Sequence, residues 1–142
     1  MPKESVLILC TGNSARSQMA EGLLRHLAGD RFEVFSAGTR PGGVRPEAII
    51  AMREIGIDMS AHRAKSVDEF ISRSFDYVIT VCDNANESCP IFPVATKRLH
   101  WAFEDPPPPS AGEQVSLPVF RKVRDQVNAR LTSELETGVF AH

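Results

Sequence analysis

Residues 6–17 read VLILCTGNSARS: an apolar run that ends in Cys10, then a loop of small polar residues that leads to Arg16. A continuous apolar run of this length predicts a buried β-strand. An apolar stripe with helical spacing begins at residue 17 and stops at Gly29, a residue type that commonly ends helices. A strand, a tight loop and a helix in this order offer backbone amides and a positive helix end to a tetrahedral oxyanion.

Strand and helix patterns alternate along the rest of the chain. Three further stretches carry strand-forming Val, Ile, Phe and Tyr, at residues 31–39, 75–82 and 97–103. Because strands that alternate with helices form parallel sheets, we predict an α/β fold, a three-layer sandwich with a central four-stranded parallel sheet and helices on both faces. The 142 residues, 42% of them hydrophobic, suffice for one core, so we predict a single domain over residues 1–142.

Two further helices are predicted from spacing and from their end signals. A helical pattern covers residues 45–56, with Pro46 suited to its first turn and Gly56 to its end. The last helix is predicted to begin near Pro118 and to stop at Gly138. Apolar residues recur along it every four positions and predict one buried stripe: Val119, Val123, Val127, Leu131 and Leu135.

The composition excludes several classes of function. A net charge of −2 and a pI of about 6.1 give no general attraction to nucleic acid or to anionic membranes. The apolar run near the N-terminus is too short for a signal peptide, and no segment approaches the ~20 apolar residues of a membrane span, so we expect a cytoplasmic protein. There, three cysteines favour catalytic or redox use over a structural framework. The four histidines lack metal-ligand spacing; we expect a monomer without metal or other cofactor.

The loop after the first strand is the candidate oxyanion site. It comprises Thr11, Gly12, Asn13, Ser14, Ala15, Arg16 and Ser17. Arg16 offers a planar fork to two oxygens, and Gly12 and Asn13 tolerate the positive φ that a tight cradle demands. The helix end and the arginine also lower the pKa of a nearby thiol, which makes Cys10 the candidate nucleophile. The competing interpretation is a buried cysteine, a serine helix cap and a surface arginine.

Two more chemistry-bearing residues follow predicted strands. Cys82 ends the third strand pattern, and Asp105 follows the fourth. Ligands of open α/β sheets bind beyond the carboxyl ends of the strands, so both residues are expected near Cys10. Pro106 biases Asp105 towards an extended conformation, which suits a general acid that protonates a departing oxygen. Glu104 is the neighbouring alternative for that role.

Three motifs together resemble a known family. They are LCTGNSARS at residues 9–17, SAGT at residues 36–39 and the Asp-Pro pair at residues 105–106, and they are similar to the low-molecular-weight tyrosine phosphatase superfamily. The likeness covers nearly the whole chain and implies that superfamily's fold. The placement of Cys82 and Cys89 is similar to that in the thioredoxin-coupled arsenate reductases, which add two redox cysteines to the phosphatase scaffold.

The resemblance implies a thiol relay. Cys10 attacks arsenate, Cys82 attacks the arsenic thioester and releases arsenite, and Cys89 then forms a disulfide with Cys82 that thioredoxin reduces. Residues 82–89 must bend to allow this, because a helix would hold the two cysteines ~10 Å apart along its axis. Phosphate and sulfate are expected competitors of arsenate. Three alternatives stay open: a low-molecular-weight protein tyrosine phosphatase, a non-catalytic redox sensor or oxyanion-binding module, and glutaredoxin as the reductant.

One position departs from the family. Some thioredoxin-coupled members bind potassium beside the oxyanion loop through an Asn, a Glu, a Ser and an Asp. The first three correspond to Asn13, Glu21 and Ser36, but the fourth is Lys65. A lysine ammonium beside Glu21 would repel a cation and hold the carboxylate itself, so we predict a protein that is indifferent to potassium. The alternative is a solvated Lys65.

Overall fold

A four-stranded parallel sheet forms the centre of the molecule. The structure, a computed structural model, describes residues 3–81 and 97–141. The strands are β1 (Glu4–Cys10), β2 (Phe32–Gly38), β3 (Tyr77–Thr80) and β4 (Lys97–His100), in the order β2-β1-β3-β4. The central strands β1 and β3 are buried along most or all of their length, as their continuous apolar sequences require. The predicted four-stranded parallel sheet is confirmed.

Three α-helices and two short 3₁₀-helices accompany the sheet in the described residues. They are α1 (Arg16–Ala28), α2 (Pro46–Arg53) and α3 (Glu113–Glu136), and the 3₁₀-helices Val67–Phe70 and Pro109–Ala111. Helix α1 packs against β1, β2 and α3, and α2 packs against α3. Within residues 3–81 and 97–141, no helix is both long enough and apolar enough to cross a membrane.

Aromatic clusters cover both faces of the sheet. Successive side chains of a strand point to opposite faces, so Phe32 and Phe35 of β2 lie on different sides. Phe32 packs with Tyr77 and Phe140, with ring centroids 4.9–6.3 Å apart. On the other face, Phe35 packs with Phe70 of the 3₁₀-helix and with Phe75, at 5.6–6.0 Å. Both faces of the sheet are thus covered by other parts of the chain, as the predicted three-layer arrangement requires.

The start of the last helix differs from the prediction, which was wrong. Helix α3 begins at Glu113, so Pro118 lies inside its second turn. The missing amide of Pro118 leaves the carbonyl of Gln114 without its helical partner, but Gln114 is exposed and water can replace that bond. Ser116 is fully buried in this first turn because its hydroxyl donates to the Glu47 carboxylate at 2.7 Å, a partner that the local pattern does not reveal.

The predicted stripe on α3 is buried in its middle only. Val123, Val127 and Leu131 are almost fully buried, whereas Val119 and Leu135 are partly buried. Each four-residue step runs about 40° past one helical turn, so a strict four-residue repeat drifts off the buried face. The predicted ends of the other helices are closer: α1 stops one residue before Gly29, and α2 stops three residues before Gly56, which has a φ of +83° in the following turn.

Candidate active site

Cys10 lies where the sheet meets the oxyanion loop. It is the last residue of β1, pairs in register with Gly38 of β2, and is 3% exposed. The loop of residues 11–15 leads directly into α1 at Arg16, so the strand, loop and helix order is as predicted. Asn13 has the expected positive φ, at +49°. Gly12 does not, and that part of the prediction is wrong: a Cβ there would instead approach Ser14 Oγ to 3.0 Å.

The carbonyl groups of the loop point away from its interior. Four of them accept backbone hydrogen bonds of 2.8–3.2 Å from the segment of residues 39–45: Cys10 from Thr39, Thr11 from Arg40, Gly12 from Gly42 and Ser14 from Arg45. In a planar trans peptide the next amide points opposite to the carbonyl. The amides of these peptide groups therefore point to the concave side, where they form a preorganised cradle for an oxyanion.

Gly38 allows the end of β2 to lie directly against the loop. A Cβ at Gly38 would be 2.5 Å from the carbonyl oxygen of Thr11 and 2.9 Å from the amide nitrogen of Asn13. Real side chains do not tolerate such distances to backbone atoms, so only glycine fits at this position. The SAGT motif at residues 36–39 is thus explained by close packing of the loop.

Arg16, the first residue of α1, pairs with Asp105, which follows β4 in the chain. Arg16 Nη2 lies 3.2 Å from Asp105 Oδ1, and Arg16 Nη1 donates to the carbonyl of Phe103 at 3.2 Å. The arginine side chain is 11% exposed, whereas that of Asp105 is 80% exposed and faces the solvent side of the site. Glu104 instead pairs with Lys122 of α3 at 2.9 Å. The geometry therefore favours Asp105 over Glu104 as the acid beside the loop.

A buried network holds Asn13 in its left-handed conformation. Its Nδ2 donates to Ser17 Oγ at 2.8 Å and to Ser36 Oγ at 2.9 Å. Its Oδ1 accepts from Gln18 Nε2 and from the Lys65 amide, both at 2.9 Å. Asn13, Ser17, Gln18 and Ser36 are all fully buried. Four hydrogen bonds thus fix the left-handed residue and with it this part of the loop.

Glu21 of α1 anchors the far side of this network. It is 4% exposed and accepts a hydrogen bond from Ser36 Oγ. Arg25 Nη2 lies 2.9 Å and Lys65 Nζ 3.6 Å from its carboxylate oxygens, and Lys65 Nζ also donates to the Arg63 carbonyl at 3.2 Å. The Lys65 side chain is only 14% exposed. The ammonium thus lies against Glu21, as the sequence predicts, and the residues present do not fit a potassium ion.

His62 and Gln18 link the network to the loop after Met59. Gln18 Nε2 donates to Asn13 and to the Arg63 carbonyl, so its Oε1 is the acceptor for His62 Nδ1 at 2.9 Å. Burial lowers the pKa of His62, and this outweighs the opposing charge of Glu21. A neutral imidazole with its hydrogen on Nδ1 satisfies this contact. Neither residue is marked by a local sequence pattern, so both were missed as supports of the loop.

The two remaining cysteines, Cys82 and Cys89, lie outside the described residues. Their approach to Cys10 therefore stays a prediction. The last described residue before them is Val81, which is buried. Its amide donates to the carbonyl of Leu9 at 2.9 Å, which brings the chain beside the residue that precedes Cys10.

Comparisons with known proteins agree with this geometry. The family model described as low molecular weight phosphotyrosine protein phosphatase matches residues 5–137. An arsenate reductase of Halalkalibacterium halodurans is 42% identical over 97% of this chain and 99% of its own. A solved arsenate reductase in the phosphate binding state is 33% identical with a TM-score of 0.74, covering 96% of this chain and 99% of that one. A thioredoxin-dependent arsenate reductase of Corynebacterium glutamicum is 29% identical with a TM-score of 0.74, covering 96% of this chain and 62% of that one.

Proposed function

This chain belongs to the low molecular weight phosphotyrosine protein phosphatase family, and we propose that it reduces arsenate to arsenite through a thiol relay. The observation that carries the proposal is the position of Cys10: it ends β1 directly before a preorganised oxyanion cradle, and Arg16 at the end of that cradle pairs with Asp105. Arsenate has the shape and charge of phosphate, so one cradle serves both. The similar proteins named as arsenate reductases support arsenate as the substrate.

The first step is attack of the Cys10 thiolate on arsenic. The S–As bond forms while one As–O bond breaks, and Asp105 donates its proton to the departing oxygen, which leaves as water. Arg16 releases Asp105 to bind two oxygens of the substrate, and the loop amides hold the developing charge. A thiol beside a helix N-terminus and an arginine ionises more readily, and Cys10 is proposed to react as its thiolate.

The reduction needs two electrons, which the thiols supply. The Cys82 thiolate attacks the sulfur of Cys10; the S–As bond pair stays on arsenic, which leaves as arsenite, and a disulfide joins Cys10 to Cys82. Cys89 then attacks Cys82, frees Cys10 and leaves a Cys82–Cys89 disulfide for thioredoxin to reduce. The chain course at Val81, beside Leu9, supports this route. The relay suits a cytoplasmic monomer, since thiols stay reduced there and one chain carries every group; phosphate and sulfate are competitors.

Phosphatase activity is the second candidate function. The family match and the pairing of Arg16 with Asp105 suit phosphoryl transfer as well as attack on arsenate. In that reaction water hydrolyses the phosphocysteine and no thiol is oxidised. We propose it as a weak side activity.

Counting free thiols after exposure to arsenate separates the candidates. The reductase loses two thiols per arsenite formed, a phosphatase loses none, and a redox sensor oxidises without making arsenite. Cys10→Ser is the control: it retains the fold and forms no arsenite, because a serine hydroxyl is hardly ionised at neutral pH. Arsenite production by that variant would overturn the nucleophile assignment. Coupled NADPH assays with thioredoxin or glutaredoxin systems then identify the reductant.

A further inference from the structure

Arg45 joins the oxyanion loop to the segment that carries Asp105. Its backbone amide donates to the Ser14 carbonyl at 2.8 Å. Its Nη1 donates to the carbonyl of Pro107 at 3.0 Å, two residues beyond Asp105. The guanidinium also lies over the ring of Phe120, 5.0 Å from its centroid. Arg45 therefore contacts both the oxyanion loop and the segment of Asp105, the two parts of the site that must stay aligned during proton transfer.

Two helices hold the Arg45 side chain in place. Its Nη2 pairs with Glu47 Oε2 at 2.7 Å, in the first turn of α2. The same oxygen accepts from the Ser116 hydroxyl of α3 at 2.7 Å. The Arg45 side chain is 15% exposed, and Glu47 is buried beside it. Because Glu47 and the Phe120 ring already hold the guanidinium, it loses little further freedom when it binds the Pro107 carbonyl.

Arg16 and Arg45 have different tasks once an oxyanion enters. Arg16 is held by Phe103 and Asp105 in the structure, and its fork must leave Asp105 to bind the substrate. Arg45 instead binds the carbonyl two residues beyond Asp105 in the chain, and this contact does not involve Arg16. We therefore expect this contact to remain when Arg16 turns from Asp105 to the substrate.

We propose that Arg45 is a positioning residue that keeps the Asp105 segment over the oxyanion loop while Arg16 binds the substrate. This inference rests on the proposed role of Asp105, whose proton goes to the departing oxygen as the bond from Cys10 Sγ to the oxyanion centre forms. Arg45 touches no reacting atom. Its effect on the reaction passes through Asp105.

The kinetic test is a double-mutant cycle of Arg45→Gln and Asp105→Asn, read in the first turnover of arsenite formation. Arg45→Gln is expected to lower the rate at saturating arsenate about 10- to 100-fold, as a 1 Å displacement of a catalytic group does, and to leave half-saturation unchanged. In the Asp105→Asn background, Arg45→Gln should have no further effect. An equal loss in both backgrounds, or a change in half-saturation alone, would overturn the proposal.

The matched control is Arg124→Gln. Arg124 is also an arginine with a buried side chain that bridges a backbone carbonyl, of Ala51 at 2.7 Å, and a carboxylate, of Glu54 at 2.9 Å, but it lies away from the loop. Its variant should keep the wild-type rate. If Arg45→Gln does not fold, Arg45→Lys takes its place, because an ammonium keeps the charge but not the two-armed contact.

Nitrogen-15 relaxation of residues 103–105 provides a readout that needs no turnover. With saturating inorganic phosphate, these amides should remain rigid in the wild type, with order parameters of about 0.85, and fall below about 0.6 in Arg45→Gln. Without phosphate, both proteins should be rigid, since Arg16 holds the segment. A rigid segment in phosphate-bound Arg45→Gln overturns the Arg45 proposal alone. A wild type that forms no arsenite overturns the proposed function instead, and relaxation still decides the role of Arg45.

Discussion

Replacing Lys65 tests whether its ammonium group takes the place of a potassium ion beside Glu21. Lys65 Nζ and Glu21 Oε1 are 3.6 Å apart, with both side chains largely buried. A pair at that distance attracts by about 4 to 5 kcal/mol at an effective dielectric constant of about 20. Arg25, half exposed at 2.9 Å, continues to neutralise Glu21 in part. Lys65→Met is therefore expected to cost about 2 kcal/mol, below the 3–5 kcal/mol of a fully uncompensated buried charge.

The assay is thermal unfolding in KCl and in NaCl at equal ionic strength. For a chain of this length, about 2 kcal/mol corresponds to a Tm about 6 °C lower. The wild type should melt at the same temperature in both salts. Lys65→Asp restores a fourth oxygen near Glu21, so potassium at ten times its Kd should return about 1.4 kcal/mol to that variant. Lys122→Met, which breaks the exposed pair with Glu104 at 2.9 Å, is the control and should change little.

A potassium-specific rise in the Tm of the wild type would refute this reasoning. It would show that Lys65 leaves Glu21 in solution and that an ion takes its place. A loss below about 0.5 kcal/mol in Lys65→Met would refute the magnitude, because it would place the pair among solvent-screened surface contacts. The Michaelis constant of the wild type for arsenate should likewise be the same in KCl and in NaCl, whereas that of Lys65→Asp should differ between the two salts.

Three further changes test other parts of the site. Gly38→Ala brings a Cβ to 2.5 Å from the Thr11 carbonyl and is expected to cost about 1–3 kcal/mol of stability and to weaken arsenate binding. Gly42→Ala is the control, because a Cβ there meets nothing within 4 Å, and it should change neither stability nor binding. Equal melting temperatures of the two variants would contradict the close approach at Gly38. Cys89→Ser should complete one turnover, stop as a Cys10–Cys82 disulfide and fail to cycle with thioredoxin; peptide mapping that finds Cys10 joined to Cys89 in the wild type requires another relay. Burial raises the pKa of Glu47, but hydrogen bonds from Arg45 and Ser116 hold it below its ordinary value of 4.5. Its stabilisation is therefore complete above that value and lost as pH falls through the folded pKa, so Glu47→Gln should be less stable at pH 7 with a flatter acid limb in urea titrations; an unchanged limb would exclude this linkage.

The sheet was predictable because its signal is local. A continuous apolar run such as that of β1 has few alternatives to a buried strand, and the alternation of elements then specifies parallel pairing. The start of α3 was not predictable in the same way. Ser116 can be buried only because Glu47, 69 residues earlier, accepts its hydrogen bond. A proline inside the helix therefore looked like a helix start.

In the candidate site, too, the residues marked by a local sequence pattern were predictable and those that act across long separations were not. Cys10, the loop and Arg16 are contiguous, so their chemistry is legible in the sequence, and Asp105 follows from strand topology. The residues that hold the loop act across long separations: Gln18 donates to the Arg63 carbonyl, 45 residues away, and Arg45 to that of Pro107, 62 residues away. No local pattern marks such pairs. The prediction of a positive φ at Gly12 was wrong, since of the two loop residues that tolerate it only Asn13 adopts it.

Arsenate reduction and phosphatase chemistry share their first step, so the cradle cannot choose between them. In the mechanism that we propose, both begin with attack by Cys10, binding of the oxyanion by Arg16 and a proton from Asp105. The two reactions differ in what happens to the covalent intermediate on Cys10. In hydrolysis, water attacks the phosphorus or arsenic centre. In reduction, a second thiolate attacks the Cys10 sulfur. Arsenic accepts the S–As bond pair and becomes trivalent, but phosphorus in a phosphocysteine does not. The oxyanion itself therefore directs the outcome once a thiolate reaches Cys10, and a chain that positions Cys82 for that attack reduces arsenate while hydrolysing phosphate esters slowly.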